Sequence, residues 1–500
     1  MAVAHSEPAP SADENPARFS SLRSHVRSRF GIDARALAAF RIGLGLVIVL
    51  DLLVLRTPGL ETFYTHDGIF PRSALAETSP ALARWSLHAI SGSVWAQTLL
   101  IGCACIVAAC LLVGYRARAA AVGSALLLAS LHARNPYLVN GGDTILISVL
   151  FLAAFLPLDE RWSLRGHDRH GEKRVVSVAT ATVLLHVVCL YAINAVLKFR
   201  SDEWMTGVAV RRIFQLEDFL YLLGPIIAEY PAALTAINWL WVAVLSASVL
   251  LVFSTGWLRS ITVGAFVGAH LGMAATMRLG AFPFVMCIVL LLFLPSRIWE
   301  YSDRLLARSG LVPALESVDT EERGGRSKSQ SSVSVRSPPV RRGIRVARTA
   351  LLVCFLITVV GWQTVSADLV DAPSVAANDT LEGASWAFFA PNPPDSYSWY
   401  VVVATSESGD RVDLVDGGAA EFDRPPDAME RYPTTLWKRY GTKGQGAGDA
   451  LHQPAATYFC ERSPDDVESV TVYRVDQPVD TDGPVGEPTP HELVSATCGR

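Results

Sequence analysis

Lysine is nearly missing from this chain. Five residues, Lys173, Lys198, Lys328, Lys438 and Lys443, stand against thirty-eight arginines. Charge is scarce altogether: 18% of residues are charged and 51% hydrophobic. That balance excludes an ordinary soluble domain and marks an integral membrane protein. Residues 1–29 lack the apolar core and small-residue cleavage site of a signal peptide, so the first membrane helix is expected to do the targeting. The eight cysteines show no zinc-binding spacing, and no metal is expected. Cys103, Cys105, Cys110, Cys189, Cys287 and Cys354 fall in apolar runs and read as buried, inert thiols. No Cys-x-x-Cys stands at a membrane face, which weakens any reading as a quinone-linked thiol oxidoreductase. Cys460 and Cys498 are alone in the polar C-terminal part and could pair if that part lies outside the cell.

Nine apolar segments remain as candidate spans, at about 35–55, 92–114, 118–134, 143–158, 175–197, 237–255, 258–277, 281–298 and 346–366. The third and fourth are short, and 222–235 could add an interfacial or re-entrant helix. Arginine and lysine concentrate in the loops 22–34, 115–118, 159–174, 256–260 and 299–348, which should be cytoplasmic. Between Arg323 and Arg348 there are eight basic residues and no acidic one. This stretch suits anionic lipid headgroups, and its lack of interleaved aromatics argues against nucleic acid. An odd number of spans then places residues 367–500 outside the cell. That part holds 23 acidic and 9 basic side chains, a composition resembling proteins that face high salt. Trp399–Ala404 and Arg411–Val415 flank Ser-Gly-Asp as a hairpin would, and Ser469–Val475 alternates like another strand. Asn378-Asp-Thr is a glycosylation acceptor sequence on the expected outer face.

The expected fold is an α-helical polytopic membrane bundle of about nine spans with a small β-rich extracytoplasmic C-terminal domain. Its parts are a disordered cytoplasmic N-terminus (1–30), a membrane domain (31–300), a basic cytoplasmic linker (301–345), a final span (346–366) and the acidic outer domain (367–500). The protein is expected in the plasma membrane, with its N-terminus cytoplasmic and membrane lipid as its surroundings.

Charged groups in a span cost roughly 2.5–3.5 kcal/mol each at mid-helix, so each needs a reason. Lys198 closes the fifth apolar run. Lysine can lose its proton when desolvated, whereas arginine effectively cannot; the alternative is a helix-end anchor snorkelling to the headgroups. Asn194, one turn earlier, could bond the amine. Asp51 lies at the same depth as Lys198 and is a candidate partner for it or for Arg278. Arg41 is about 15 Å from Asp51 along the helix and reads as a snorkelling anchor. His186 reads as an interhelical hydrogen-bonding group. His270 sits among Gly264, Gly268 and Gly272, which would permit close helix packing around its ring. Asn135 falls in the outer loop between the third and fourth spans.

Several pieces form an ordered set: Arg41, Gly45 and Asp51; Gly114-Tyr-Arg116; Trp162-Ser163; Leu197-Lys198 followed by Trp204; and Gly280-x-Phe282-x-x-x-Met286, with His270 ten residues before Gly280. Over about residues 30–300 this set resembles the horizontally transferred transmembrane (HTTM) domain family, which is related to vitamin-K-dependent γ-carboxylase. The resemblance implies a quinol-dependent oxygenase or carboxylase-like activity. A lysine at the position of Lys198 would deprotonate a menaquinone or vitamin K-type quinol, His270 would assist, and Asp51, Asn135, Asn194, Trp204 and Arg278 would line the cofactor site. The stretch Phe389-Ala-Pro-Asn-Pro-Pro resembles the tails of prokaryotic members. Two departures count against carboxylation of peptidyl glutamate: Gly142 stands where the carboxylase has a histidine, and its long luminal region is absent. The alternative is a non-catalytic membrane module that matures or positions an exported peptide or protein, recognised by the acidic outer domain.

Overall fold

The computed structural model describes residues 24–164, 174–308, 338–370, 386–444 and 448–499. Lys173, Lys328, Asn378 and most of the expected N-terminal and linker segments lie outside the described residues, so the expectations placed on them find no structural counterpart.

All nine apolar runs are helical: α1 (Ala34–Leu50), α2 (Val94–Val113), α3 (Ala117–Arg134), α4 (Gly141–Ala153), α5 (Val178–Phe199), α6 (Pro231–Ser246), α7 (Gly256–Thr276), α8 (Phe282–Leu290) and α9 (Pro338–Ser366). Six of the spans they build are long and apolar enough to cross a membrane, or seven if the bent pair Phe282–Phe293 and Ser296–Leu305, which turns by 104°, counts as one. α4 has thirteen residues, about 20 Å of helix against a hydrocarbon core of about 30 Å. α4 falls short by length, whereas α3 has eighteen residues but carries Arg118, His132 and Arg134 and is too polar to count. α1 to α5, α7 and α8 share one apolar core, with Phe40, Leu44, Leu128, Val149, Val183, Phe266 and Val285 inside it.

Arg41 does not snorkel. It is fully buried, and its Nη2 donates to the carbonyl of Trp162. Gly114 ends α2 in the left-handed conformation (φ +76°), and a Cβ there would collide with the Arg41 guanidinium and with Ser163. Three separate pieces of the sequence set, Arg41, Gly114 and Trp162-Ser163, thus form one packed joint. Gly45 completes it further along α1, where a Cβ would run into the backbone of Leu112; small residues permit such close crossings. His186 makes the expected interhelical contact, at 3.1 Å to the hydroxyl of Ser148 on α4.

The C-terminal part is β-rich. β1 (Ser396–Ser406) pairs antiparallel with β2 (Arg411–Asp413) and with β3 (Val467–Asp480), and β4 (Thr489–Thr497) pairs with β3. Side chains alternate across β1 with the period of two that strand geometry imposes. Trp399, Val401 and Val403 enter a core with Met429 and Tyr432, while Val402 and Ala404 enter a second with Ala456. A disulfide joins Cys460 to Cys498. Two helices were not foreseen: α10 (Thr435–Gly444) and α11 (Asp449–Cys460). They matter because α10 joins the tail to the bundle. Lys438 of α10 bonds Asp218, Arg439 bonds Asp143, and Tyr440 donates to the carbonyl of Ile69 at 3.2 Å.

Candidate functional site

Between α5, α6, α7 and the start of α8 lies a chamber of about 710 Å³, closed at one end by α10 and by Phe388 and Phe389 of the tail. Its walls are mostly apolar, with polar groups gathered toward the tail, the usual make-up of a small-molecule site in size and lining. Lys198, His270, Asn194, Trp204 and Arg278 all line it. Asp51 and Asn135 do not.

Lys198 stands in the last turn of α5 and is 1% exposed. Its Nζ lies 3.3 Å from the carbonyl oxygen of Phe388 and 4.4 Å from the centre of the Trp204 ring. Ser201 caps a short helix, Asp202–Thr206, that turns Trp204 back under the amine, and the indole N–H donates to the Phe389 carbonyl at 3.0 Å. No carboxylate bonds Lys198 among the described residues. Asn194 does not bond the amine as expected; its Nδ2 donates to the carbonyls of Leu190 (3.1 Å) and Trp386 (2.8 Å). The tail backbone, through Trp386, Phe388 and Phe389, therefore supplies the polar partners of this wall.

His270 projects from the middle of α7 and is fully buried. Its Nε2 shares a hydrogen bond of 2.8 Å with the hydroxyl of Tyr191. Trp241 and Phe282 meet the ring edge-to-face, with centroids 5.8 and 5.5 Å away. Its other ring nitrogen, Nδ1, has no hydrogen-bond partner among the described residues. The glycines around His270 are not a helix-packing face. A side chain built at Gly264, Gly268 or Gly272 would meet nothing within 4 Å, because these positions open onto the chamber.

Asp51 pairs with neither Lys198 nor Arg278. A π-helical turn over Asp51–Arg56 follows α1, and its i to i+5 spacing puts the Arg56 guanidinium 3.1 Å from the Asp51 carboxylate. Arg56 also bonds Asp143 at 2.9 Å, and Asp143 accepts from Arg439 at 3.2 Å. Asn140 holds Asp143 in a capping box at the start of α4. This buried network lies beside the chamber and shares Arg439 and Asn140 with its wall. Asn135 is buried elsewhere, its amide donating to Phe63 O at 3.1 Å. Gly142 is pressed against Phe282; a Cβ there would come within 2.7 Å. Arg278 bonds the carbonyl of Leu220 at 3.4 Å and lies 5.0 Å from the Tyr221 ring.

Sequence reasoning missed Tyr191, Arg56, Lys438, Arg439 and Lys443. The scarcity of lysine could have found two of them: three of the chain's five lysines line this one chamber, and the other two lie outside the described residues. Lys438 Nζ is 3.2 Å from the Asp218 carboxylate, 2.6 Å from the Asp218 carbonyl and 3.0 Å from the centre of the Phe219 ring. Burial pushes its amine down to about 8 and pushes the Asp218 carboxyl up, in each case against the attraction of the partner. Among the described residues no group of three or more His, Cys, Asp or Glu could hold a metal ion.

The fold and the site define a class: a helical membrane protein with an apolar chamber that a β-rich domain closes at one end. The chain belongs to the HTTM domain family, whose pattern matches residues 31–299, a family linked to vitamin K-dependent carboxylase-like membrane proteins. No curated protein and no solved structure matches the chain.

Proposed function

We propose that the chamber binds a menaquinone or vitamin K-type quinol and that Lys198 is its proton acceptor. The residues fit such a guest. The volume is adequate, the walls are apolar and aromatic, and one buried ring nitrogen of His270 lacks a partner. A reduced quinone bound there would supply an acidic ring hydroxyl and an oxidisable ring system. Lys198 would take the proton; with no carboxylate among the described residues bonded to it, the amine is not held in an ion pair there. Trp204 and the Phe388 carbonyl hold the amine at the chamber wall. His270, fixed by Tyr191, would orient the guest through Nδ1, and Asn194 would keep the tail backbone against the wall. Trp241 and Phe282 exclude water from this end. In this reading the tail domain and the Lys198 end of the bundle are extracytoplasmic, in the plasma membrane.

The observation that carries the reading is the buried Lys198 amine on an apolar chamber with no acidic partner among the described residues. Lys198→Ala, assayed for quinol-dependent oxygen uptake and epoxide formation in membranes, should lose about 10²–10⁴-fold of the rate, the usual contribution of a positioned general base. An undiminished rate would end the reading. The alternative, a non-catalytic module for an exported peptide or protein, gains less support. The tail side chains and carbonyls described above are engaged with the bundle rather than held free for a partner.

A further inference from the structure

The charged residues lining the chamber are all cations: Lys198, Arg278, Lys438, Arg439 and Lys443, with no aspartate or glutamate among the described lining residues. Two of the five are neutralised from behind, Lys438 by Asp218 and Arg439 in part by Asp143. Asp143 is shared with Arg56, which also takes Asp51, so among the described residues this network balances two acids with two cations. Arg278 bonds a carbonyl and faces a tyrosine ring, and Lys443 has no acidic partner among the described residues. Arg439 is 9% exposed, and its Nη2 lacks a hydrogen-bond partner among the described residues. It lies directly over Gly280, whose positive φ and missing Cβ leave it room. An unsatisfied guanidinium nitrogen in a buried wall is costly unless something occupies it.

The other end of the chamber has the opposite character. Gly264, Gly268 and Gly272 open a slot along α7 whose length, eight residues of helix, is about 12 Å. Leu240, Val244, Leu245 and Ala265 add apolar surface. The slot runs toward Thr276 and Arg278, where the cations of α10 begin. A cationic end and a long apolar end in one continuous cavity call for a molecule of matching polarity.

We propose that the chamber holds an anionic amphiphile, its carboxylate or phosphate among Arg439, Lys443 and Arg278 and its apolar chain in the slot along α7. This goes beyond the quinol reading, since neither Lys198 nor His270 is needed for it. Lys443 and Arg278 give the charge-assisted contact at the rim, and Arg439, held by Asp143, adds its charge behind them.

The full-length chain in phosphatidylcholine nanodiscs tests this with cis-parinaric acid, a fluorescent 18-carbon carboxylate, and with its neutral methyl ester. The acid should bind about tenfold more tightly than the ester, the ratio that one charge-assisted hydrogen bond supplies. An Arg278→Gln/Lys443→Gln double variant, both positions lying outside the buried network, should lose about tenfold for the acid and nothing for the ester. A Lys443→Arg/Arg278→Lys variant should restore it. Competition then separates the sources. Displacement by lysophosphatidate below the concentration needed for oleate assigns a phosphate head, and the reverse order assigns a carboxylate. Equal affinity for acid and ester, or a double variant indistinguishable from the parent, overturns the proposal. Because parinarate carries no quinol, unchanged quinol turnover in Lys198→Ala would leave this result standing, and failure here would leave that reaction untouched.

Discussion

Replacing Asp143 should loosen the tail from the bundle more than any single change at the protein surface. Its carboxylate accepts from Arg56 at 2.9 Å and from Arg439 at 3.2 Å, with the backbone N–H of Asn140 at 2.9 Å. His132 stands 3.9 Å away. Asp143→Asn keeps an acceptor for Asn140 but removes the charge facing two buried guanidinium groups. Arg56 would retain Asp51, whereas Arg439 would retain only the carbonyl of Leu138. Breaking a buried ion pair from one side costs about 3–5 kcal/mol, because the other charge is left in low dielectric. The sign of the double replacement differs. Asp143→Asn with Arg439→Met removes the stranded charge together with its partner, so the pair should be less destabilised than Asp143→Asn alone. Thermal unfolding of the four proteins in nanodiscs, with tail release followed by limited proteolysis, gives the cycle. An Asp143→Asn variant within about 1 kcal/mol of the parent, or a double variant that simply adds the two single losses, would refute the interlock.

Two further outcomes follow from the same geometry. The Lys438 amine is depressed from its ordinary 10.5 to about 8 by burial, so the unfolded chain binds the extra proton between those values. Stability should therefore rise with pH from about 8 to about 10.5, and Lys438→Met should flatten that rise in pH-dependent unfolding; a rise that persists in the variant assigns it elsewhere. Gly114→Ala must place a Cβ where the Arg41 guanidinium lies, at a backbone angle that suits glycine; a loss of about 1–3 kcal/mol is expected, and a neutral substitution in thermal unfolding would show that the joint with Trp162 is not tight.

Composition and hydropathy alone determined that this is a helical membrane protein, and where its nine apolar helices lie. Apolar length and the cost of bare backbone in lipid leave few other choices. The hairpin of β1 and β2 and the strand β3 were legible from alternation, because strand period is a local property. Lys198 and His270 were legible as residues whose placement in apolar runs is expensive. Their surroundings were not. Asp51 found Arg56 through a local π-helical turn, which periodicity at 3.6 residues does not reveal. The glycines of α7 suit equally a helix crossing and an open slot, and only the position of α6 and the tail decided between them. Phe388, Phe389, Lys438 and Arg439 reach the chamber from almost two hundred residues or more beyond Lys198. Contacts over such separations depend on how whole elements dock, and no short pattern in the chain encodes that docking.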